Sequence, residues 1–162
     1  MTLCVDLMQN QELLRSPIGE AYYARQQWQY FLVVVRCNHS ADVSEENPTF
    51  YTWGEYQGGR EVNEIGSALL DYLLTKLPPG TKRVRLFSDN CPGQSKNYAM
   101  LSMLSAFSAR TKAAIDYFFP IKGHSYLPAD RAFGRVEKQL RRHETILLPS
   151  EYIDEFGIVG EV

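Results

Sequence analysis

Cysteine is scarce in this chain, an excess of basic charge is missing, and no apolar run is long. The three cysteines among 162 residues, Cys4, Cys37 and Cys91, are an odd number at scattered spacings. They form no CxxC pair and no Cys/His cluster, which argues against structural zinc and against a disulfide framework, so a reducing compartment is the default. Seventeen basic residues against nineteen acidic ones leave a formal net charge of −2. That balance is wrong for a small, uniformly basic nucleic-acid coat, although it leaves room for a local basic face. The longest apolar run, YFLVVV at 30–35, is far below the ~20 residues needed to span a bilayer. No N-terminal stretch has the layout of a signal peptide. The expectation is therefore an intracellular protein that is neither secreted nor membrane-bound. Repeats, low-complexity tracts and linkers are absent too, and the Asn38-His39-Ser40 sequon means little without a secretory signal.

What the chain does contain is material for a core. A hydrophobic content of 44%, with ten Tyr and eight Phe, is that of a folded globule rather than a disordered segment. Its length suits one domain over 1–162, large enough to bury a core without staples.

Residues 2–8 alternate as a strand, with Leu3, Val5 and Leu7 on one face and Cys4, Asp6 and Met8 on the other. From 11 to 27 the chain is polar and mixed. Pro17-Ile18-Gly19 signals a turn, and 20–27 reads either as a short helix or as an extended arm. Apolar strands follow at 28–37 and 49–56, giving an antiparallel meander. A helix is expected over 61–77, with Val62, Ile65, Leu69, Leu70, Leu73, Leu74 and Leu77 on one stripe. Residues 84–88 form a short strand. A second helix, starting near Ser95, carries Tyr98, Leu101, Leu104 and Phe107. A fifth strand at 114–119 stops at Pro120. A third helix runs from Pro128, tolerated in a first turn, to about 143, and a short helix at 149–156 ends the chain. The order β-β-β-α-β-α-β-α predicts an α/β fold, a mixed five-stranded sheet with flanking helices. It is also the element order of the ribonuclease H-like fold. The first core strand begins almost at residue 1, so a separate DNA-binding domain is expected to lie outside this sequence or to be absent.

That order gives three aspartates a common destination. Asp6 is in the first strand, Asp89 ends the fourth, and Asp130 is in the first turn of the last long helix. With the first and fourth strands adjacent and the helix packed across them, all three would meet at one edge of the sheet. Phosphodiester cleavage by two divalent ions about 4 Å apart needs such oxygen ligands. Carboxylates suit Mg²⁺ or Mn²⁺, and Mg²⁺ needs only one or two protein ligands per ion. Each residue also has a plainer role available. Asp89, before Asn90, Pro92 and Gly93, is a good turn residue, and Asp130 complements a helix macrodipole. Asp6 is the hardest to explain that way, because a carboxylate in an apolar strand is costly to bury unpaired.

Glu137 is the reserve third carboxylate. It shares nearly the same helical face as Asp130 but sits about 10 Å along the axis, so the two cannot hold one metal together. The buried stripe of that helix is Ala129, Phe133, Val136 and Leu140. Arg131, Arg135, Lys138 and Arg142 fall on the far side, as a solvated face or as phosphate contacts. His124 stands before the third acid, either as a loop residue or as a proton shuttle beside a metal site. Gln94, Lys96 and Asn97 open the second helix, as capping residues or phosphate contacts.

The stretches SDNCPGQSKN (88–97) and GHSYLPADRAFGRVEK (123–138) resemble the two signature blocks of a eukaryotic transposase-derived domain family with a ribonuclease H-like fold. DLMQN (6–10) and PIGEAYYARQQWQY (17–30) are similar to the family's N-terminal part, so the resemblance extends over roughly 5–155. It implies a transposase or integrase-like nuclease core acting on DNA, with Asp6, Asp89 and Asp130 on the family's acidic positions and a homo-oligomeric, nuclear protein. No small-molecule cofactor is implied. The chain departs from the pattern in two ways: many transposases end the triad with Glu, and the N-terminal portions of longer relatives are missing. A fragment or a domesticated remnant would fit the second departure. Alternatives are a non-catalytic interaction or nucleic-acid-binding module, a cysteine hydrolase using Cys91 with His124, and a phosphatase using Asp6. Against the hydrolase, Cys91 precedes Pro92 in a turn and lacks an orienting third group. Against the phosphatase, Met8 stands where an acid partner is needed.

Overall fold

A computed structural model describes residues 1–13, 15–17, 27–37, 47–121 and 127–162. Among these, no helix is long and apolar enough to cross a membrane.

The sheet is organised around the most apolar segment of the chain. Strand β3 (Gln27–Cys37) is buried from Tyr30 to Val35, the continuous pattern of a strand covered on both faces. It pairs antiparallel with β1 (Thr2–Leu7) on one side and β4 (Pro48–Gly54) on the other. Beyond β1 the sheet turns parallel, through β5 (Arg83–Ser88) and then β6 (Ala114–Phe118). The expected five strands are therefore present, in the order β4-β3-β1-β5-β6.

A sixth strand was not expected. β2 (Gln11–Leu13) pairs with the start of β3 along the same edge as β1. Leu7 faces Leu32 while Gln11 faces Gln29, so four steps along one strand match three along the other. β1 and β2 are thus one strand interrupted by a bulge, two residues after Asp6 at the earliest. Gln11, Glu12 and Leu13 are too few and too mixed to show alternation. The expected helix or arm at 20–27 lies, but for Gln27, outside the described residues.

Helices α1 (Val62–Thr75) and α2 (Tyr98–Thr111) cover one face of the sheet, where Leu3, Val5, Leu32 and Val34 meet Ile65, Leu69, Leu73, Met100 and Leu104. Helices α3 (Pro128–Leu140) and α4 (Pro149–Gly157) cover the other, against Cys4, Met8, Phe31, Val33 and Phe50. Phe156 of α4 stacks on Phe31 at 3.7 Å and meets Phe50 edge-on at 5.0 Å.

Helical spacing misassigned parts of two stripes. On α2, Tyr98 is 89% exposed and Leu101 44%, while Met100, Leu104 and Phe107 turn inward. On α1, Leu74 is exposed and Tyr72 takes the buried place. In both helices a second run of apolar residues one step away fits the same period, and contact with the sheet decides between them. Helix α2 also starts later than expected. Residues 92–95 are turns and 96–97 a bend, with the amides of Gln94, Ser95 and Lys96 donating to the Cys91 carbonyl.

The C-terminus is tied to the start of β4, where Phe50 N donates to Glu161 O at 2.7 Å and Glu161 N to Pro48 O at 3.0 Å. Gly160 permits this approach, because a Cβ there would lie 2.2 Å from the Pro48 carbonyl oxygen. Gly160→Ala is expected to destabilise the protein by about 1–3 kcal/mol, read as a lowered melting temperature. An unchanged melt would show that the terminal bridge does not persist in solution.

Candidate active site

Asp6 interrupts an otherwise apolar stripe. Its neighbours on that face of β1, Cys4 and Met8, are both buried under α3 and α4. On the adjacent parallel strand the last paired residues are Val5 and Ser88, so Asp6 and Asp89 are the next positions on strands about 4.8 Å apart. The N-terminal turn of α3 closes on the same place: Cys4 is hydrogen-bonded to the backbone of Ala129 and feels the charges of Asp6 and Asp130. Burial pushes the Cys4 thiol up to about 12, so it is an inert packing group.

The electrostatics of Asp6 reflect this crowding. Its carboxyl is pushed up to about 7 from an ordinary 3.8, first by burial, then by the negative charge of Asp130 and then by that of Asp89; the Leu7 amide pulls it back in part. Asp6 is thus within electrostatic reach of both Asp130 and Asp89. None is in an ion pair with a described cation.

Each carboxylate is tethered through one oxygen. Asp6 Oδ1 accepts from Leu7 N at 2.9 Å, Asp89 Oδ1 from the Ser95 hydroxyl at 2.9 Å, and Asp130 Oδ2 from Leu127 N at 2.8 Å. The second oxygen of each has no hydrogen bond among the described residues. Asp130 thus closes the first turn of α3 onto Leu127, and half of its carboxylate is left uncommitted. The same local grammar recurs at α4, where Pro149 follows Leu148 and Glu151 accepts from the amides of Leu147 and Leu148.

Asp89 is held by a network that sequence reading did not single out. Ser95 is buried, its carbonyl accepts from the Tyr117 hydroxyl at 3.3 Å, and Tyr117 also bonds Ser88 Oγ at 2.7 Å. The available signal was Ser95, one short turn after Asp89. Tyr117, from β6, gave none.

The remaining candidates divide. Glu137 is exposed and pairs with Arg141 Nη2 at 3.8 Å, on the flank rather than at the cluster. Asn97 caps α2, accepting from Met100 N and donating to the Pro92 and Gln94 carbonyls. Lys96 is exposed, its ammonium 5.3 Å from the Phe119 ring centre, and Gln94 is half-buried. Arg131, Lys138 and Arg142 are exposed, but Arg142 follows the end of α3, which stops at Leu140 rather than near 143. Arg135 departs from the expected solvated face: its Nε and Nη2 are buried, with no hydrogen-bond partner among the described residues. His124 lies outside the described residues, and with it the proposed Cys91–His124 pair.

Three carboxylates with uncommitted oxygens, uncompensated by a described cation, have the donor chemistry of a hard divalent ion. No group of three His, Cys, Asp or Glu among the described residues is close enough to hold one ion jointly. A site in which each ion takes one or two protein ligands does not require such a group.

The strand order, the antiparallel-then-parallel pairing and the helices on both faces define a ribonuclease H-like fold. No family model matches the chain and no curated protein is similar to it. Among similar solved structures is LC9-RNase H1, a type 1 RNase H with the type 2 active-site motif, at 12% identity and a TM-score of 0.34, covering 89% of this chain and 70% of that one. Another is Thermus thermophilus RuvC, at 12% identity and a TM-score of 0.29, covering 97% and 81%. These superpositions are loose, and the fold assignment stands on the strand order.

Proposed function

We propose that this single domain is a transposase or integrase-like nuclease core that cuts DNA phosphodiesters with Mg²⁺ or Mn²⁺ held by Asp6, Asp89 and Asp130. The supporting observation is that a half-buried Asp6 lies in the field of both Asp130 and Asp89, with one oxygen of each carboxylate left uncommitted. Bound metal would activate water and stabilise the leaving oxygen. The chain's own part is to fix the ligands: the Leu7 amide orients Asp6, Ser95 orients Asp89, and the turn before α3 orients Asp130. Exposed Lys96, Arg131 and Lys138 are the candidates for phosphate contacts. Action on chromosomal DNA would place the protein in the nucleus.

The test is nicking of supercoiled plasmid with Mn²⁺ or Mg²⁺. Asp130→Asn keeps a cap acceptor and is expected to lose most of the activity, whereas Glu137→Gln should retain it within about twofold. The reverse pattern would move the third ligand to Glu137.

A second reading, a domesticated module with the fold retained and the chemistry lost, is favoured by the lack of a closed three-acid group among the described residues. It predicts no nicking with either metal and no specific Mn²⁺ binding.

A further inference from the structure

Away from the carboxylate cluster, a cavity of about 460 Å³ opens between β4 and α1. It lies within the size range of sites for small organic ligands. Two aromatic residues of β4, Tyr51 and Trp53, line one side. Two acids of α1, Glu64 and Asp71, line the other, together with Asn63 and Ser67. Among the described residues no lysine or arginine is in the lining, which carries two carboxylates and no cation.

Both aromatic residues are fixed through their polar groups. The Tyr51 hydroxyl donates to Asp71 Oδ2 at 2.8 Å, and Trp53 Nε1 donates to the Gly59 carbonyl at 2.6 Å while its ring packs 6.0 Å from that of Tyr30. Burial and the Asp71 contact both favour the neutral phenol of Tyr51, so it adds no third charge. The Glu64 side chain has no hydrogen bond or ion pair with another described residue. Fixed aromatic walls beside unneutralised carboxylates attract a cation through ring quadrupoles and charge together. Aromatic walls cannot replace the hydration shell of Na⁺ or Mg²⁺, but they suit a weakly hydrated organic ammonium.

We propose that this cavity is a binding site for an organic ammonium ion, of the quaternary or methylated class. The ammonium would come from a free small molecule or from a methylated lysine side chain, which present the same chemistry. The site is on the α1 face of the sheet, whereas Asp6 shares its face with Cys4 and α3, so the proposal is independent of nuclease activity.

The chain has two tryptophans, and the indole N–H signal of Trp53, assigned with Trp28→Phe, reports directly on the cavity. The probes are choline, tetramethylammonium, a trimethyllysine peptide, its unmethylated form, and 3,3-dimethylbutan-1-ol as the neutral isostere of choline. Saturable shifts are expected with the ammonium compounds, with the alcohol about tenfold weaker or worse. Glu64→Gln combined with Asp71→Asn should weaken choline by about tenfold with an unchanged melting temperature, and Asp89→Asn should bind as the wild type does. Tighter binding of the trimethyllysine peptide than of tetramethylammonium assigns a side-chain ligand; the reverse assigns a free one. Equal shifts from alcohol and choline, or no saturable shift below about 100 mM, would overturn the proposal.

Discussion

Asp89→Asn is expected to remove metal-dependent nicking by at least about a thousandfold while leaving the melting temperature within a degree or two. Asparagine keeps the Oδ1 that accepts from Ser95, so the turn after β5 and the start of α2 should survive. What disappears is the negative charge beside Asp6 and one hard ligand. A neutral amide is a poor substitute for carboxylate toward Mg²⁺ or Mn²⁺. Plasmid nicking followed over time, with circular dichroism of the same preparation, separates a lost site from a lost fold. Residual nicking near the wild-type rate in a folded Asp89→Asn protein would remove this residue from the chemistry.

Asp6→Asn should stabilise the metal-free protein at pH 8 and leave its stability nearly unchanged at pH 4. The carboxyl of Asp6 titrates near 7 in the folded chain against an ordinary 3.8, raised by burial and by Asp130 and Asp89. Below 3.8 it is protonated whether the chain is folded or not and carries no penalty. Between 3.8 and about 7 the unfolded chain ionises and the folded one resists, so stability falls as pH rises. Above 7 the full penalty is in place, about 2–4 kcal/mol. Removing the charge removes that penalty, which should raise the melting temperature at pH 8 by about 4–12 °C. The same substitution should abolish nicking, the behaviour of a residue kept for chemistry at the expense of stability. Denaturation curves at the two pH values check the claim, and equal effects at both would contradict the raised titration of Asp6.

The architecture was largely legible because its strongest signals are local. The apolar run at 30–35 has the composition of a buried strand, and Pro120 and Pro128 mark where elements stop or start. Asp6 was legible as a candidate because a charge between Cys4 and Met8 breaks an apolar stripe. What escaped depends on contacts distant in sequence. β2 exists only because β3 continues past the bulge and offers it an edge. The inward turn of Met100 in place of Tyr98 and Leu101 is set by the face that α1 and the sheet present to α2. The partial burial of Arg135 escaped as well, because helical periodicity tells only which residues share a face. Tyr117 supports Asp89 from a strand 29 residues after Ser88, a distance no local pattern spans.

The most direct test of the central claim is calorimetric titration of Mn²⁺ into the intact chain at pH 8. Saturable binding is expected that weakens as pH falls below 7, when Asp6 takes up its proton, and that is lost in both Asp6→Asn and Asp89→Asn. Mn²⁺ binding that is absent in the wild-type protein, or unchanged in both variants, would contradict it.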